Sequence, residues 1–176
     1  MNILSLFDGM SCGQIALKKL KIPYDNYYAS EIDAHAMYIT QKNFPATIQL
    51  GNIKELSSAD LKSLPKIDLL MGGSPCQGFS FGGKGLNFDD PRSKLFFDFA
   101  KILEKINPKY FLLENVRMNK KSQDIISGIL GMEPIKINSS LVSAQNRVRL
   151  YWTNIIVDGT LKDKGLVLEN ILEKEV

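Results

Sequence analysis

Cysteine and histidine are nearly absent from this chain of 176 residues, which has two Cys, at positions 12 and 76, and one His, at 35. That scarcity excludes a disulfide scaffold, and it excludes a Cys/His zinc site, which needs three or four ligands. No apolar run approaches the roughly 18 residues that span a bilayer. The opening Met1-Asn2-Ile3-Leu4-Ser5 has no basic region ahead of an apolar one, so no secretory signal is read there. A large charge of one sign is also lacking: the net charge is +3 with 44% hydrophobic residues, which excludes disorder. The expectation is one cytoplasmic, metal-free domain over residues 1–176, with no membrane partner. Residues 158–176 carry a net −2, leaving +5 on residues 1–157. Such a surplus permits contact with a phosphate-bearing partner without demanding it.

Short β-rich runs alternate with longer amphipathic stretches, which points to β-α units around a parallel sheet. Strands are expected at Asn2–Leu6, Tyr27–Ser30, Ile48–Leu50, Ile67–Met71, Tyr110–Leu113, Pro134–Ile137 and Leu150–Ile155. A first helix should run from the turn at Cys12-Gly13 to about Leu20, with Ile15, Ala16 and Leu20 on one face. Further helices are expected over Ala34–Phe44, from Ser57 or Ser58 to Leu64, over Lys94–Ile106 and Ser122–Leu130, and weakly over Leu166–Leu172. No repeat, low-complexity segment or linker interrupts the pattern.

Ligands of an open parallel sheet bind beyond the carboxyl ends of its strands. The turn Phe7-Asp8-Gly9-Met10-Ser11-Cys12-Gly13 lies at the first such end, where glycines admit close approach and the next helix offers free N–H groups. It lacks the G-x-G-x-x-G spacing, so a nicotinamide dinucleotide is disfavoured. Glu31, ending the second strand, suits ribose hydroxyls, and Asn52, after the third, suits a purine edge. An ordinary turn with surface polar residues fits these features equally well. A lone cysteine is most often a small buried apolar residue. Cys76, however, sits among glycines just past a strand end, in Gly72-Gly73-Ser74-Pro75-Cys76-Gln77-Gly78-Phe79-Ser80, which favours a reactive thiolate. Glu114 belongs to the same sheet edge and could share a proton with a substrate heteroatom, or simply be solvated. Arg147 and Arg149 place two guanidiniums on one side of an extended segment, fit for phosphate or carbonyl groups or for an exposed loop.

Taken together and in order, the first turn, Ser30-Glu31-Ile32-Asp33, Ser74-Pro75-Cys76-Gln77, Glu114-Asn115-Val116 and Gln145-Asn146-Arg147-Val148-Arg149 resemble the DNA (cytosine-5-)-methyltransferases. The likeness is to the phage and bacterial modification enzymes used in restriction-modification and to the animal de novo branch, and it covers about residues 1–172. It implies an α/β, Rossmann-like S-adenosylmethionine-dependent methyltransferase fold: a mostly parallel seven-stranded sheet with helices on both faces. By resemblance, Phe7, Asp8, Gly9, Met10, Ser11 and Cys12 wrap S-adenosylmethionine, with Glu31 on its ribose, Ile32, Asn52 and Ile53 around its adenine, and Pro75 among the other cofactor contacts. The family usually has Asp where this chain has Asn52, which implies weaker cofactor binding. Cys76 is the implied nucleophile toward a cytosine flipped out of DNA, Glu114 holds that base, and Arg149, helped by Arg147, clamps it. Gln77, Ser80 and Arg92 are implied DNA contacts within a closing segment, Gln77–Arg92. The family's target-recognition region and C-terminal motifs are expected to be missing. The resemblance therefore also raises a complementary C-terminal chain or self-association as partners, a transfer RNA substrate, or a non-catalytic binding module.

Overall fold

The computed structural model describes residues 1–75, 94–159 and 161–173. The first strand shows how the sheet is filled. β1 (Asn2–Leu6) alternates its side chains, sending Ile3 to one face and Leu4 and Leu6 to the other, all fully buried. α1 (Cys12–Lys19), β2 (Asn26–Ser30), α2 (Ala34–Asn43) and β3 (Ile48–Gln49) follow, then α3 (Ser58–Ser63), β4 (Leu69–Gly72) and α4 (Leu95–Ile106). β5 (Tyr110–Val116), α5 (Lys120–Leu130), β6 (Ile135–Asn138) and β7 (Val148–Thr153) complete the order. The seven strands form one sheet, β3-β2-β1-β4-β5-β7-β6. The first five are parallel, and β7 is inserted antiparallel between β5 and β6.

Helices cover both faces. Leu17 of α1 packs with Ile3, Tyr27, Ala29 and Leu69 on one face. Leu61 of α3, Phe96, Phe99 and Ile102 of α4, and Ile126 of α5 pack with Leu4, Leu70, Leu113 and Trp152 on the other. Local signals place the helix ends. Ser57 and Asp60 form a reciprocal capping box on α3, Asp33 caps α2 by accepting from the Ala36 N–H at 2.9 Å, and Gly131 ends α5 at φ 70°.

The structure corrects the sequence reading in several places. The Ile15, Ala16 and Leu20 face of α1 points outward, with Ile15 43% and Leu20 68% exposed, while Gln14 and Leu17 are buried. Hydropathy cannot detect this, because Gln14 is buried by having every polar atom of its amide bonded. β7 starts at Val148 rather than Leu150, which draws Arg149 into the sheet. The expected terminal helix is a single 3-10 turn, Leu168–Asn170, whose apolar neighbours Val167, Ile171 and Leu172 are all more than half exposed. So short a segment without a packed face is a marginal helix.

Candidate active site

The turn after β1 is conformationally unusual. Phe7, Gly9 and Ser11 all have positive φ, at 59°, 60° and 57°. For the two that are not glycine this costs about 1–3 kcal/mol each, a strain that characteristically persists at ligand clamps. The turn is fastened at its base, where the Asp8 N–H donates to the Ser30 carbonyl at 3.2 Å and the Gly9 N–H to Glu31 Oε2 at 2.8 Å. The other Glu31 oxygen accepts from the N–H groups of Ile32 and Asp33 at 2.7 and 2.9 Å. Three backbone donors thus fix this carboxylate at the end of β2.

Around it opens a cleft of about 230 Å³ lined by Phe7, Ser30, Glu31, Ile32, Asn52, Ile53, Lys54, Pro75 and Leu95. Six of the eleven residues expected around the cofactor, Phe7, Glu31, Ile32, Asn52, Ile53 and Pro75, line this cleft. Asn52 Oδ1 accepts from the Lys54 N–H at 3.1 Å, and its amide donates to Glu55 Oε1 at 3.2 Å, which leaves the carbonyl as the end with spare acceptor capacity. Other residues from the same expectation are used differently. The Asp8 carboxylate accepts from the hydroxyls of Tyr27 and Ser11, and Ser11 is fully buried. Met10 and Cys12 line a second groove, between α1 and α2, with Ile15, Ile39 and Phe44.

Glu114 lies within β5, on the strand that neighbours β4. Its carboxylate Oε1 is 2.7 Å from Arg149 Nε across the antiparallel β5–β7 pair. The Arg149 Nη1–H donates to the Val148 carbonyl at 2.9 Å. Tyr151 stands directly opposite Glu114 in the register. Burial raises its phenol above the ordinary range, the Glu114 charge adds to the rise, and Arg149 and Arg147 oppose it. One electrostatic cluster therefore contains Glu114, Tyr151 and both arginines, with Arg147 exposed just before the strand. The next β5 residue, Asn115, is buried and donates to the Ser74 carbonyl at 3.3 Å and to Ser74 Oγ at 3.2 Å. That tie binds the Ser74-Pro75 segment to the Glu114 strand, while Pro75 lines the nucleoside-like cleft.

Cys76, Gln77, Ser80 and Arg92 lie outside the described residues. Among the described residues no group of three His, Cys, Asp or Glu could hold a metal ion, and no helix is long and apolar enough to cross a membrane. Sequence reasoning missed Leu95 and Lys54 in the cleft, Tyr151 beside Glu114, and the buried polar residues behind the first turn. For Tyr151 the period-2 pattern of the last strand held a usable signal, since it places Tyr151 on the same side as Arg149.

A sheet with this order and a reversed β7 defines an α/β S-adenosylmethionine-dependent methyltransferase fold. It matches a crystal structure of a Spodoptera frugiperda DNMT2 mutant at TM-score 0.71 and 27% identity, covering 99% of this chain and 60% of that one. A family model described as C-5 cytosine-specific DNA methylase matches residues 1–130, and the chain belongs to that family. Similar proteins include the type II methyltransferase M.NgoBV of Neisseria gonorrhoeae, 38% identical over 120 residues, which are 66% of this chain and 28% of that protein. The orphan methyltransferase M.SPRI of Bacillus phage SPR is also 38% identical over 120 residues, 66% of this chain and 26% of its own length. The matched stretch thus spans little more than a quarter of these relatives.

Proposed function

We propose that this chain binds S-adenosylmethionine and carries the reacting residues for methyl transfer to carbon 5 of cytosine in DNA, with Cys76 as nucleophile. One observation carries the reading. Pro75, the residue before Cys76, lines the nucleoside-like cleft, and Ser74 is tied to Asn115, next in the chain to Glu114. Cleft and carboxylate therefore converge on the segment that leads into the cysteine.

The cleft suits the cofactor chemically. Phe7, Ile32, Ile53, Pro75 and Leu95 offer apolar surface to a flat purine, Glu31 keeps acceptor capacity for ribose hydroxyls, and the Asn52 carbonyl can accept from an exocyclic amine. When bound, the cofactor supplies an electrophilic methyl group on a sulfonium. The Cys76 thiolate forms a bond to carbon 6 of a cytosine taken out of the duplex, since a stacked base cannot be reached. Glu114 hydrogen-bonds ring nitrogen 3 and the exocyclic amine, stabilising the charge that moves into the ring as the adduct forms. Arg149 orients Glu114 through their ion pair and, with Arg147, holds the base oxygen or its phosphate. Once carbon 5 is methylated, its proton leaves to a base and the Cys76 sulfur is expelled, restoring the aromatic ring. Gln77, Ser80 and Arg92 are assigned to DNA, the last two to its phosphates, and the backbone of Gly9 through Cys12 to the amino-acid end of the cofactor. The reaction is assigned to the cytoplasm of a bacterium or phage-infected cell.

The test is mass spectrometry of the chain with S-adenosylmethionine and a 5-fluorocytosine duplex, with and without a C-terminal fragment of a relative. A covalent adduct is expected, and Cys76→Ser should abolish it. No adduct under either condition would overturn the proposal, and an adduct with the RNA counterpart alone would move the substrate to RNA.

A further inference from the structure

Behind the strained first turn lies a set of buried polar side chains that no step above uses. The Tyr27 hydroxyl donates to Asp8 Oδ1 at 2.7 Å, and the Ser11 hydroxyl donates to the other Asp8 oxygen. Gln14 Nε2 donates to Ser11 Oγ at 3.1 Å and to Thr47 Oγ1 at 2.8 Å, and its carbonyl accepts from the Tyr24 hydroxyl at 2.6 Å. Thr40 Oγ1 reaches the Gly9 carbonyl at 3.3 Å. Tyr27 and Gln14 are each 1% exposed. The bonds run from β2, α2 and the segment before β3 to both ends of a turn whose Phe7 and Ser11 occupy the left-handed region. A conformation that side chains resist persists only where its surroundings over-determine it.

We infer that Tyr27 and Gln14 are positioning residues for the cofactor loop. They hold Asp8 and Ser11, and through them the turn that presents Phe7 to the cleft and the Gly9 N–H to Glu31. Each Asp8 oxygen accepts a hydrogen bond from inside the protein, so this carboxylate is part of the brace that holds the loop. Burial and the Asp8 charge push the Tyr27 phenol far above its ordinary range, so it stays a donor at any working pH. The inference rests on the proposed function only in calling the loop's ligand a cofactor; the bracing itself can be read without one.

The experiment uses the whole chain and compares Tyr27→Phe with Ser127→Ala. The second variant removes a buried side-chain hydrogen bond far from the turn, the one at 3.1 Å from Trp152 Nε1. Amide exchange is followed at Asp8, Gly9 and Ser11, and affinity for S-adenosylhomocysteine by calorimetry. Tyr27→Phe should speed exchange at these three amides about tenfold and weaken binding about tenfold, the effect of one lost buried hydrogen bond. Ser127→Ala should change neither. Equal exchange at the turn in the two variants would overturn the inference whatever the ligand does, and so would parental affinity in a Tyr27→Phe protein whose loop is loosened. If the parent binds no S-adenosylhomocysteine while Tyr27→Phe still loosens the turn, the brace stands and the cofactor reading falls. Should Tyr27→Phe fail to fold, Tyr24→Phe cuts the same chain of bonds further out at Gln14, with about a threefold effect expected on exchange.

Discussion

Two glutamates stand on the carboxyl edge of the sheet and are held in opposite ways. Glu31, at the end of β2, accepts from three backbone N–H groups, which are fixed by the fold and carry no formal charge. Glu114, in β5, has as its nearest charge the guanidinium of Arg149, a side chain with 17% exposure that can exchange partners. The first arrangement makes a permanent acceptor, suited to neutral hydroxyls. The second makes a carboxylate whose interactions can be redistributed when a base arrives. The parallel half of the sheet holds the rigidly fixed carboxylate, and the antiparallel β5–β7 pair holds the adjustable one.

The largest effect that would break this contrast belongs to Glu114. Glu114→Gln should slow single-turnover methyl transfer by about 10²–10⁴, the usual worth of a positioned acid or base, while cofactor affinity measured by calorimetry stays near that of the parent. Equal losses in both would make Glu114 a binding residue like Glu31. Glu31→Ala should show the reverse pattern: the turn loses its anchor, stability falls by about 1–2 kcal/mol in urea denaturation, and cofactor binding falls with it.

Two adjacent glycines at the end of β4, Gly72 opposite Leu113 and Gly73 against Glu114, sharpen the comparison by separating fold from site. A Cβ on Gly72 would lie 2.8 Å from Phe99 Cε2 and 3.2 Å from the Leu6 carbonyl, and Phe99 is fully buried. Gly72→Ala should therefore cost about 1–3 kcal/mol of stability by overpacking. On Gly73 the new atom would meet Glu114 Oε2 at 3.2 Å, the far end of a side chain that can give way. Gly73→Ala should leave the melting temperature almost unchanged and slow the chemical step. Below these in size comes the ion pair itself. A double-mutant cycle of Glu114→Gln with Arg149→Lys should return a coupling in stability of under about 1 kcal/mol, because both partners are partly exposed.

The smallest effect concerns a third kind of carboxylate. Asp33 and Asp60 cap helices at the surface, and hydrogen bonds, first from the Ala36 N–H and from the Ser57 hydroxyl respectively, hold both below the ordinary aspartate value of 3.8. With the folded value depressed, their contribution is complete above 3.8 and is lost as pH falls through the lower folded values. Thermal denaturation should show a slight drop in that acid window, flattened in Asp33→Asn.

Much of this molecule was legible in its sequence because period and punctuation did the work. β1, α5 and the core face of α4 around Phe99 and Ile102 follow from alternation, helical spacing and caps. In the cleft, Phe7, Glu31 and Asn52 were legible from their places at strand ends, Ile32, Ile53 and Pro75 only through the family resemblance, and Lys54 and Leu95 not at all. What escaped was whatever depends on a partner distant in sequence. Gln14 reads as a surface residue until Tyr24, Thr47 and Ser11 are placed around it. Phe96 of α4 is fully buried while its neighbour Leu95 lines the cleft, a division that only the placement of the sheet decides. The insertion of β7 between β5 and β6 has no local signature, since it is set by long-range pairing.

The single tryptophan, Trp152, is completely enclosed in β7, opposite Leu113, with its indole N–H donating to Ser127 Oγ. The molecule thus contains one indole, which can be excited selectively beside its six tyrosines, and it sits in the antiparallel half, two residues after Leu150, which faces Asn115 across the strands. Its emission should be blue-shifted at rest and move to the red when β7 leaves β5, without reporting directly on the turn after β1. Followed beside amide exchange at that turn, this one optical signal can time the opening of the adjustable half against the loosening of the rigid one.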